Sequence, residues 1–274
     1  MSDAPSYFTD DSMLRRVHRE WMVAFSGPRA LLMQATHPVA FAGFFAHTGA
    51  LDEPYERLNR TALVMDTIAF GSRTEADRMT RRVRAMHRRV SGELSEPVGR
   101  FPAGTPYRAD DPVLLLWILA TLVDSALLVY GKYVSELSRD ERDAYWQEYK
   151  LIGHLFGLKD HEMPGTIEDF DAYMHDTLTG PDLHVSDEAR ELAIDIVMRP
   201  PLPLVARPLL EMANFITVGL LPERIREMYR FGWDPARGLA LGAGAESTKR
   251  LLLPFLPSFV RHVPRTRIAT PRAA

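Results

Sequence analysis

The chain has 274 residues, no cysteine and nine histidines, and its 33 Lys and Arg against 36 Asp and Glu give a formal charge of −3. The lack of cysteine excludes disulfide frameworks, cysteine-ligated zinc, iron–sulfur clusters and thiol nucleophiles, so a metal ion has to be held by histidine, carboxylate or methionine. The near-neutral charge argues against a nucleic-acid partner, and the absence of a secretory signal in the first residues favours a cytoplasmic location.

Apolar residues recur with helical spacing along most of the chain, and the alternation typical of strands is lacking. We predict an all-α fold, with a single mostly helical domain of about ten helices over residues 1–260 and a basic, flexible tail at 261–274. The predicted helices cover residues 12–25, 28–46, 53–70, 74–91, 112–136, 139–157, 166–178, 186–198, 203–219, 222–231 and 234–253.

A helix-disrupting proline follows a histidine in the segment GPRALLMQATHP, residues 27–38. Because Pro38 removes a helical hydrogen bond, His37 is predicted to lie at a local distortion of an otherwise apolar helix. Two interpretations stay open. The imidazole caps carbonyl groups that the distortion frees, or it faces a ligand cavity.

The helix predicted over residues 53–70 carries cations on its apolar side. At about 100° per residue, one face holds Arg57, Arg60, Thr61, Val64 and Ile68. Burial of two guanidinium groups without partners is costly. Either acidic groups elsewhere pair with them, their ends reach solvent, or this face borders a pocket for an anionic or oxygen-rich ligand.

The helix predicted over residues 74–91 brings one histidine to the margin of an apolar stripe. The stripe lies within an arc of about 60° and consists of Met79, Val83, Met86 and Val90. His87 lies at its edge, with Arg84 one turn earlier. A neutral imidazole is a good ligand for haem iron, and the guanidinium suits a propionate. The alternative is a histidine at the core edge whose ring bonds a backbone carbonyl.

Two segments of opposite character follow. Residues 92–112 hold four prolines and three glycines, and a loop of about 20 residues inside a compact domain is often functional. We expect it to border the ligand entrance, with Tyr107 and Arg108 reaching toward the pocket. Residues 113–130 are almost wholly apolar and near the lower limit of about 17–25 residues for a membrane span, but Asp124 favours a buried core helix.

Four motifs in this order resemble those of the haem-dependent oxygenase family of latex-clearing proteins (rubber oxygenases) and MpaB-type oxygenases. They are GPRALLMQATHP, RLNRTALVM, RVRAMHRRVSG and PYRADDPVLLLWILATLVDS, and the likeness covers residues 14–235. The resemblance implies a helical domain that encloses one b-type haem. It also implies that Arg84 and His87 match the motif of the proximal histidine, and that Arg57, Arg60 and Thr61 match the distal Arg-x-x-Lys-Thr motif.

Two departures from the family pattern argue against rubber cleavage itself. The lysine of the distal motif is replaced by Arg60, whose planar guanidinium does not suit the role of a compact amine ligand. The helix that the resemblance implies should supply a glutamate base carries Gln34 and His37 instead. His37 is therefore included among the distal polar candidates.

We predict a haem b-dependent, dioxygenase-like oxygenase acting on an apolar or lipid-like substrate, with O2 bound opposite the proximal histidine. The predicted catalytic residues are His37, Arg57, Arg60 and Thr61. The predicted cofactor contacts are Val83, Arg84, Met86 and His87, of which His87 is the iron ligand. The alternative is a non-catalytic protein that binds haem or another apolar ligand. A cofactor-free, membrane-associated module is less favoured, and substrate, product and oligomeric state are left open.

Overall fold

The computed structural model describes residues 5–46 and 54–263. Within these residues the chain forms thirteen α-helices, short 3-10 turns and one small sheet, so the all-α prediction is confirmed. The helices are α1 (Met13–His18), α2 (Ser26–Gln34), α3 (Pro38–Ala46), α4 (Pro54–Phe70), α5 (Arg73–His87), α6 (Pro112–Tyr133), α7 (Arg139–Phe156), α8 (Ile167–Thr179), α9 (Asp187–Met198), α10 (Arg207–Leu220), α11 (Glu223–Met228), α12 (Pro235–Ser247) and α13 (Ser258–Arg261).

Helix boundaries follow local capping signals. Capping boxes start α5 and α7. The side chains of Ser72 and Ser138 accept hydrogen bonds from the backbone N–H groups of Glu75 and Glu141, and the two glutamate side chains accept hydrogen bonds from the backbone N–H groups of the serines. Gly157 ends α7 in the left-handed region at φ 109°. These signals are visible in the sequence, and the predicted ends of both helices lie close to the observed ones, apart from the C-terminal end of α5.

Helix α6 runs through the core. It is the one helix of the described residues that is long and apolar enough to cross a membrane, and two thirds of its most apolar window is buried against other parts of the fold. Its neighbours include α2 and α7. The expectation of a core helix at 113–130 therefore agrees with the packing.

A buried ion pair accounts for the acidic residue inside this apolar helix. The guanidinium of Arg29 on α2 donates to Asp124 Oδ2 at 2.7 Å, to Ser125 Oγ at 2.6 Å and to the carbonyl oxygen of Leu220 at 2.8 Å. Farther along α2, Gln34 donates to Thr121 Oγ1. The order of these contacts makes α2 and α6 antiparallel and ties α2 and α10 to the core helix.

Several predicted helices are divided in the structure. The helix expected over 28–46 is two helices, because the proline at 38 starts α3 instead of kinking a continuous helix. The segments expected at 12–25 and 203–219 each combine a short 3-10 turn with an α-helix. The segment at 234–253 ends in a π-helical turn at Thr248–Leu252.

The proline-rich segment after α5 is more regular than expected, since it contains strands that the sequence did not indicate. Strand β1 (Ser91–Glu93) pairs antiparallel with β2 (Pro106–Arg108), with Gly92 opposite Tyr107. The buried ring of Tyr107 lies so close to Gly92 that a β-carbon there would collide with it. The hairpin packs on α3 through a cluster that includes Val39, Leu94 and Leu114.

The start of the predicted tail is held in place. The guanidinium of Arg261 pairs through two nitrogens with the buried carboxylate of Glu20, and the backbone N–H of Val263 donates to the carbonyl of Arg19. The chain is therefore anchored up to residue 263, and the rest of the predicted tail lies outside the described residues.

Candidate functional site

The motif residues are brought together by the hairpin of α4 and α5. Helix α4 ends at Phe70 and α5 begins at Arg73, and the two helices pack against each other. In such a connection the N-terminal part of α4 and the C-terminal part of α5 lie at the same end. Arg60 and His87 therefore belong to one end of the hairpin, as a shared site requires.

One face of α5 points into the protein and changes in burial along its length. Ala76 and Thr80 are buried, whereas Val83 and His87 farther along the same face are half-buried. Met86, which belongs to the predicted apolar stripe, is 53% exposed. Helix α5 ends at His87, and its last turn is incompletely covered by the described side chains.

The imidazole of His87 lies against α7. Its ring stacks on Phe156 with a centroid distance of 6.5 Å and an interplanar angle of 25°, and its Nδ1 atom is buried. The pKa of Asp110 is lowered chiefly by its hydrogen bond from Arg108, and the charge of His87 contributes to this lowering. His87 therefore lies within electrostatic reach of the loop that precedes α6.

The guanidinium of Arg84 lies against Gly157, at the end of α7. Arg84 is exposed, and no carboxylate pairs with it within the described part of the chain. An arginine beside a half-buried histidine and not committed to an acidic side chain is available for the carboxylate of a ligand.

The matching face of α4 opens toward the same end. Ile68 is buried, Val64 is half-buried, and Thr61 and Arg60 are exposed. The space in front of this face is therefore closed near the connection and open near the level of His87. Arg57 lies on α4, but its side chain is outside the described part, so its predicted role stays a prediction.

His37 occupies the break between α2 and α3. Its buried Nδ1 atom accepts a hydrogen bond from the backbone N–H of Ala40 at 3.3 Å, so the ring caps the start of α3. The ring packs on Phe101, with centroids 5.6 Å apart. Burial lowers the pKa of His37; nearby Asp182 raises it and Arg100 lowers it to smaller extents. The ring therefore caps a backbone N–H at the start of α3, whereas the sequence predicted that it would cap freed carbonyls.

The hairpin after α5 reaches the histidine at the helix break, although not through the residues expected. Tyr107 is buried against α3, and Arg108 pairs with Asp110. The side chain that meets His37 is Phe101, from the turn between the two strands. The next residue back, Arg100, pairs with Asp182. The expected entrance role of this loop stays a prediction.

Sequence reasoning missed three groups around these residues. Phe156 and Asp182 come from distant parts of the chain, and no spacing in the sequence points to them. Trp117 is buried, and its Nε1 atom has no hydrogen-bond partner within the described residues. The antiparallel order of α2 and α6 places Trp117 toward the level of His37. An unpaired buried donor is unusual and is available to a bound group.

The residues present fit a haem group better than a protein-ligated metal ion. No cluster of three or more His, Asp or Glu side chains suited to a metal occurs among the described residues. A porphyrin supplies four nitrogen ligands itself, so one histidine is sufficient. His87 provides a half-buried imidazole, Val64 and Val83 provide apolar walls, and Arg84 provides a cation for a propionate.

Comparison with known protein families identifies the family of this chain. The family described as "ER-bound oxygenase mpaB/B'/Rubber oxygenase, catalytic domain" matches residues 15–250. The chain belongs to this family. The match confirms the resemblance found in the motifs. It also shows, at a coarse level, an oxygenase catalytic domain, and hence an oxidoreductase that takes a small-molecule substrate and O2.

Two mycobacterial proteins are similar to this member of the oxygenase family. They are "Uncharacterized protein Rv2237" of Mycobacterium tuberculosis and "Uncharacterized protein Mb2261" of Mycobacterium bovis. Each is 30% identical over 192 residues, which cover 67% of this chain and 69% of the relative. Their names state no activity, and no solved structure matches the chain. The finer function therefore has to be argued from the site.

Proposed function

We propose that this protein is a haem b-dependent oxygenase in which His87 is the proximal iron ligand and the substrate is apolar. The observation that carries the proposal is the placement of His87. It is a half-buried histidine in the last turn of α5, which packs on α4, and its ring stacks on Phe156. The family match supports the oxygenase part of the proposal independently.

The residues that would hold the group have distinct roles. His87 would coordinate the iron, and Phe156 packs on its imidazole ring. Arg84 would pair with a propionate, and Val83 and Met86 would cover the porphyrin with apolar atoms. When bound, haem supplies the iron centre at which O2 is activated.

The exposed part of the α5 stripe is explained by this proposal. Met86 is exposed and Val83 is half-buried in the protein alone. An apolar macrocycle placed against them would remove this surface from water, and burial of apolar surface contributes about 25 cal/mol per Å². The exposure of Met86 therefore supports the predicted role of Val83 and Met86 as cofactor contacts.

The distal side is assigned to Arg57, Arg60 and Thr61 on α4 and to His37. A hydroxyl and guanidinium groups donate hydrogen bonds and suit oxygen-rich or anionic species. Because burial lowers the pKa of His37, its ring is neutral near pH 7. Its Nδ1 accepts from Ala40, so the proton of the neutral ring is on Nε2, which can donate.

The test uses the visible absorption of protein reconstituted with haem. His87→Gly is expected to lose the wild-type Soret band or shift it strongly, and added imidazole is expected to restore the band by occupying the vacated position. Restoration separates loss of a ligand from loss of the fold. His175→Gly, at an exposed position of α8, is the matched control and is expected to keep the wild-type spectrum.

Two results would contradict the assignment. A wild-type spectrum in His87→Gly would exclude His87 as the ligand. A haem-bound protein that consumes no O2 above the free-haem background, with a panel of alkenes and lipids, would favour the alternative of a non-catalytic haem-binding protein. The two results are distinct, because the first concerns ligation and the second concerns turnover.

A further inference from the structure

Exposed apolar side chains are concentrated in the last quarter of the chain. Of the 15 large apolar side chains that are exposed among the described residues, 11 lie between Leu202 and Val260. The most exposed are Val205 at 89%, Phe255 at 81% and Leu204 at 80%. Single exposed apolar residues are ordinary, but a concentration of this kind marks an interaction surface.

These residues form two segments. Residues 202–212 include a 3-10 turn and the first part of α10, and residues 251–260 run from the π-helical turn into α13. The second segment reads LLLPFLPSFV, and only Leu253 in it is buried. The second segment, residues 251–260, is called the C-terminal apolar surface below.

The two segments lie on either side of a packed pair of helices along the chain. Gly219, in the last turn of α10, lies against Trp233, which comes just before α12, and against Leu241. Leu241 and Ala245 of α12 share a core cluster with α10. Residues 251–260 follow this packed region and, apart from Leu253, are not buried.

Positive charge is also concentrated near the C-terminus of the sequence. Residues 247–274 contain six Lys or Arg and no Asp or Glu, although the whole chain has a net charge of −3. The three cations in the described part pair with carboxylates of the fold. The other three follow the apolar segment in the sequence at Arg265, Arg267 and Arg272. Apolar side chains next to cations are the combination that binds anionic lipid surfaces.

We propose that the C-terminal apolar surface docks on an anionic phospholipid bilayer without spanning it. The sign of the charge favours a bilayer over a second copy of the chain. A second copy of the chain would bring the same positive charges, whereas anionic headgroups complement the cations that follow the apolar segment in the sequence. The proposal does not rest on haem, since it concerns residues 251–260 and not the α4–α5 hairpin.

The lack of cysteine allows a site-specific fluorescence test. Phe255→Cys, and Val113→Cys as the matched control, each provide a single thiol at an exposed position for an environment-sensitive label. With vesicles of equimolar phosphatidylcholine and phosphatidylglycerol, the label at 255 is expected to brighten severalfold and shift to shorter wavelength, and the label at 113 to stay unchanged. The affinity for vesicles of phosphatidylcholine alone is expected to be lower by about tenfold or more.

A second measurement keeps folding separate from docking. The double variant Phe255→Ser with Phe259→Ser is expected to reduce cosedimentation with the anionic vesicles by about tenfold or more, because two rings are no longer buried in lipid. Its thermal unfolding is expected to match that of the wild type, since both rings are exposed. The control variant Val113→Ser is expected to bind vesicles as the wild type does.

Three outcomes would overturn the proposal. The first is a wild-type protein that does not cosediment with anionic vesicles, and the second is an equal response from the labels at 255 and 113. The third is a wild-type protein that is a dimer in sedimentation velocity and a double variant that is a monomer, with no binding of either protein to vesicles. That result would assign the C-terminal apolar surface to a second copy of the chain.

Discussion

His18 is half-buried, and its Nε2 atom lies 2.8 Å from the hydroxyl oxygen of Tyr145. Burial lowers its pKa from 6.5 to about 4, because the charged imidazolium would lose its hydration. The folded protein therefore keeps this ring neutral in mildly acidic solution, whereas the unfolded chain takes up the proton. His18 therefore makes stability depend on pH.

The unfolding free energy is expected to fall as the pH falls from about 6.5 to about 4, because the unfolded state binds more protons in this window. Between about pH 7.5 and about pH 5, His18 accounts for a loss of about 2 kcal/mol. His18→Gln keeps a hydrogen-bonding group near Tyr145 but does not titrate. In urea unfolding, the loss of unfolding free energy between about pH 7.5 and about pH 5 should therefore be smaller in this variant by about 2 kcal/mol. An equal dependence in the two proteins would contradict this assignment.

The residues of the candidate site differ in how far the sequence could predict them. The position of His87 on α5 follows from helical phase and from its motif. Its contact with Phe156 does not, because that ring comes from the end of α7 and no local pattern relates the two. Likewise, helical phase placed Met86 in an apolar stripe, but only the packing shows that this residue is exposed.

Helices α2 and α6 are joined through Arg29, which is the only buried arginine among the described residues. Its guanidinium serves Asp124, Ser125 and the carbonyl of Leu220 together. Removal of the buried guanidinium leaves the half-buried carboxylate of Asp124, the hydroxyl of Ser125 and the carbonyl of Leu220 without this partner. The pair therefore fixes the position of α2, whose end carries His37.

Arg29→Ala is expected to lower the free energy of unfolding by about 3 kcal/mol, measured by chemical denaturation. Arg250→Ala is the control, because Arg250 pairs with Glu246 on the surface, and its loss is expected to cost less than about 0.5 kcal/mol. Similar losses in both variants would mean that the buried pair adds nothing beyond an ordinary surface pair.

Helix starts were more predictable than helix breaks. Ser72 and Ser138 fixed the starts of α5 and α7 through local capping, which depends only on neighbouring residues. The break at His37 and the hairpin that includes Tyr107 depend on tertiary packing. Pro38 could either kink a helix or start a new one, and the contacts of the α2–α3 junction decide between the two.

At the scale of the whole molecule, helical spacing was sufficient for the fold class, and four ordered motifs were sufficient for the family. The distribution of exposed apolar residues was not predictable, because LLLPFLPSFV reads equally well as core. Only the structure shows that Phe255 and Phe259 lack cover within the described residues. The C-terminal apolar surface is therefore a finding of the packing.

The central claim is that this oxygenase-family protein holds one haem through His87. The most direct test is the visible absorption spectrum of freshly purified protein, with haem and iron quantified per chain. We expect a Soret band, about one haem per chain, and loss of both in His87→Ala but not in His175→Ala. A colourless protein that takes up no haem on reconstitution, or a His87→Ala variant with an unchanged spectrum, would contradict the account.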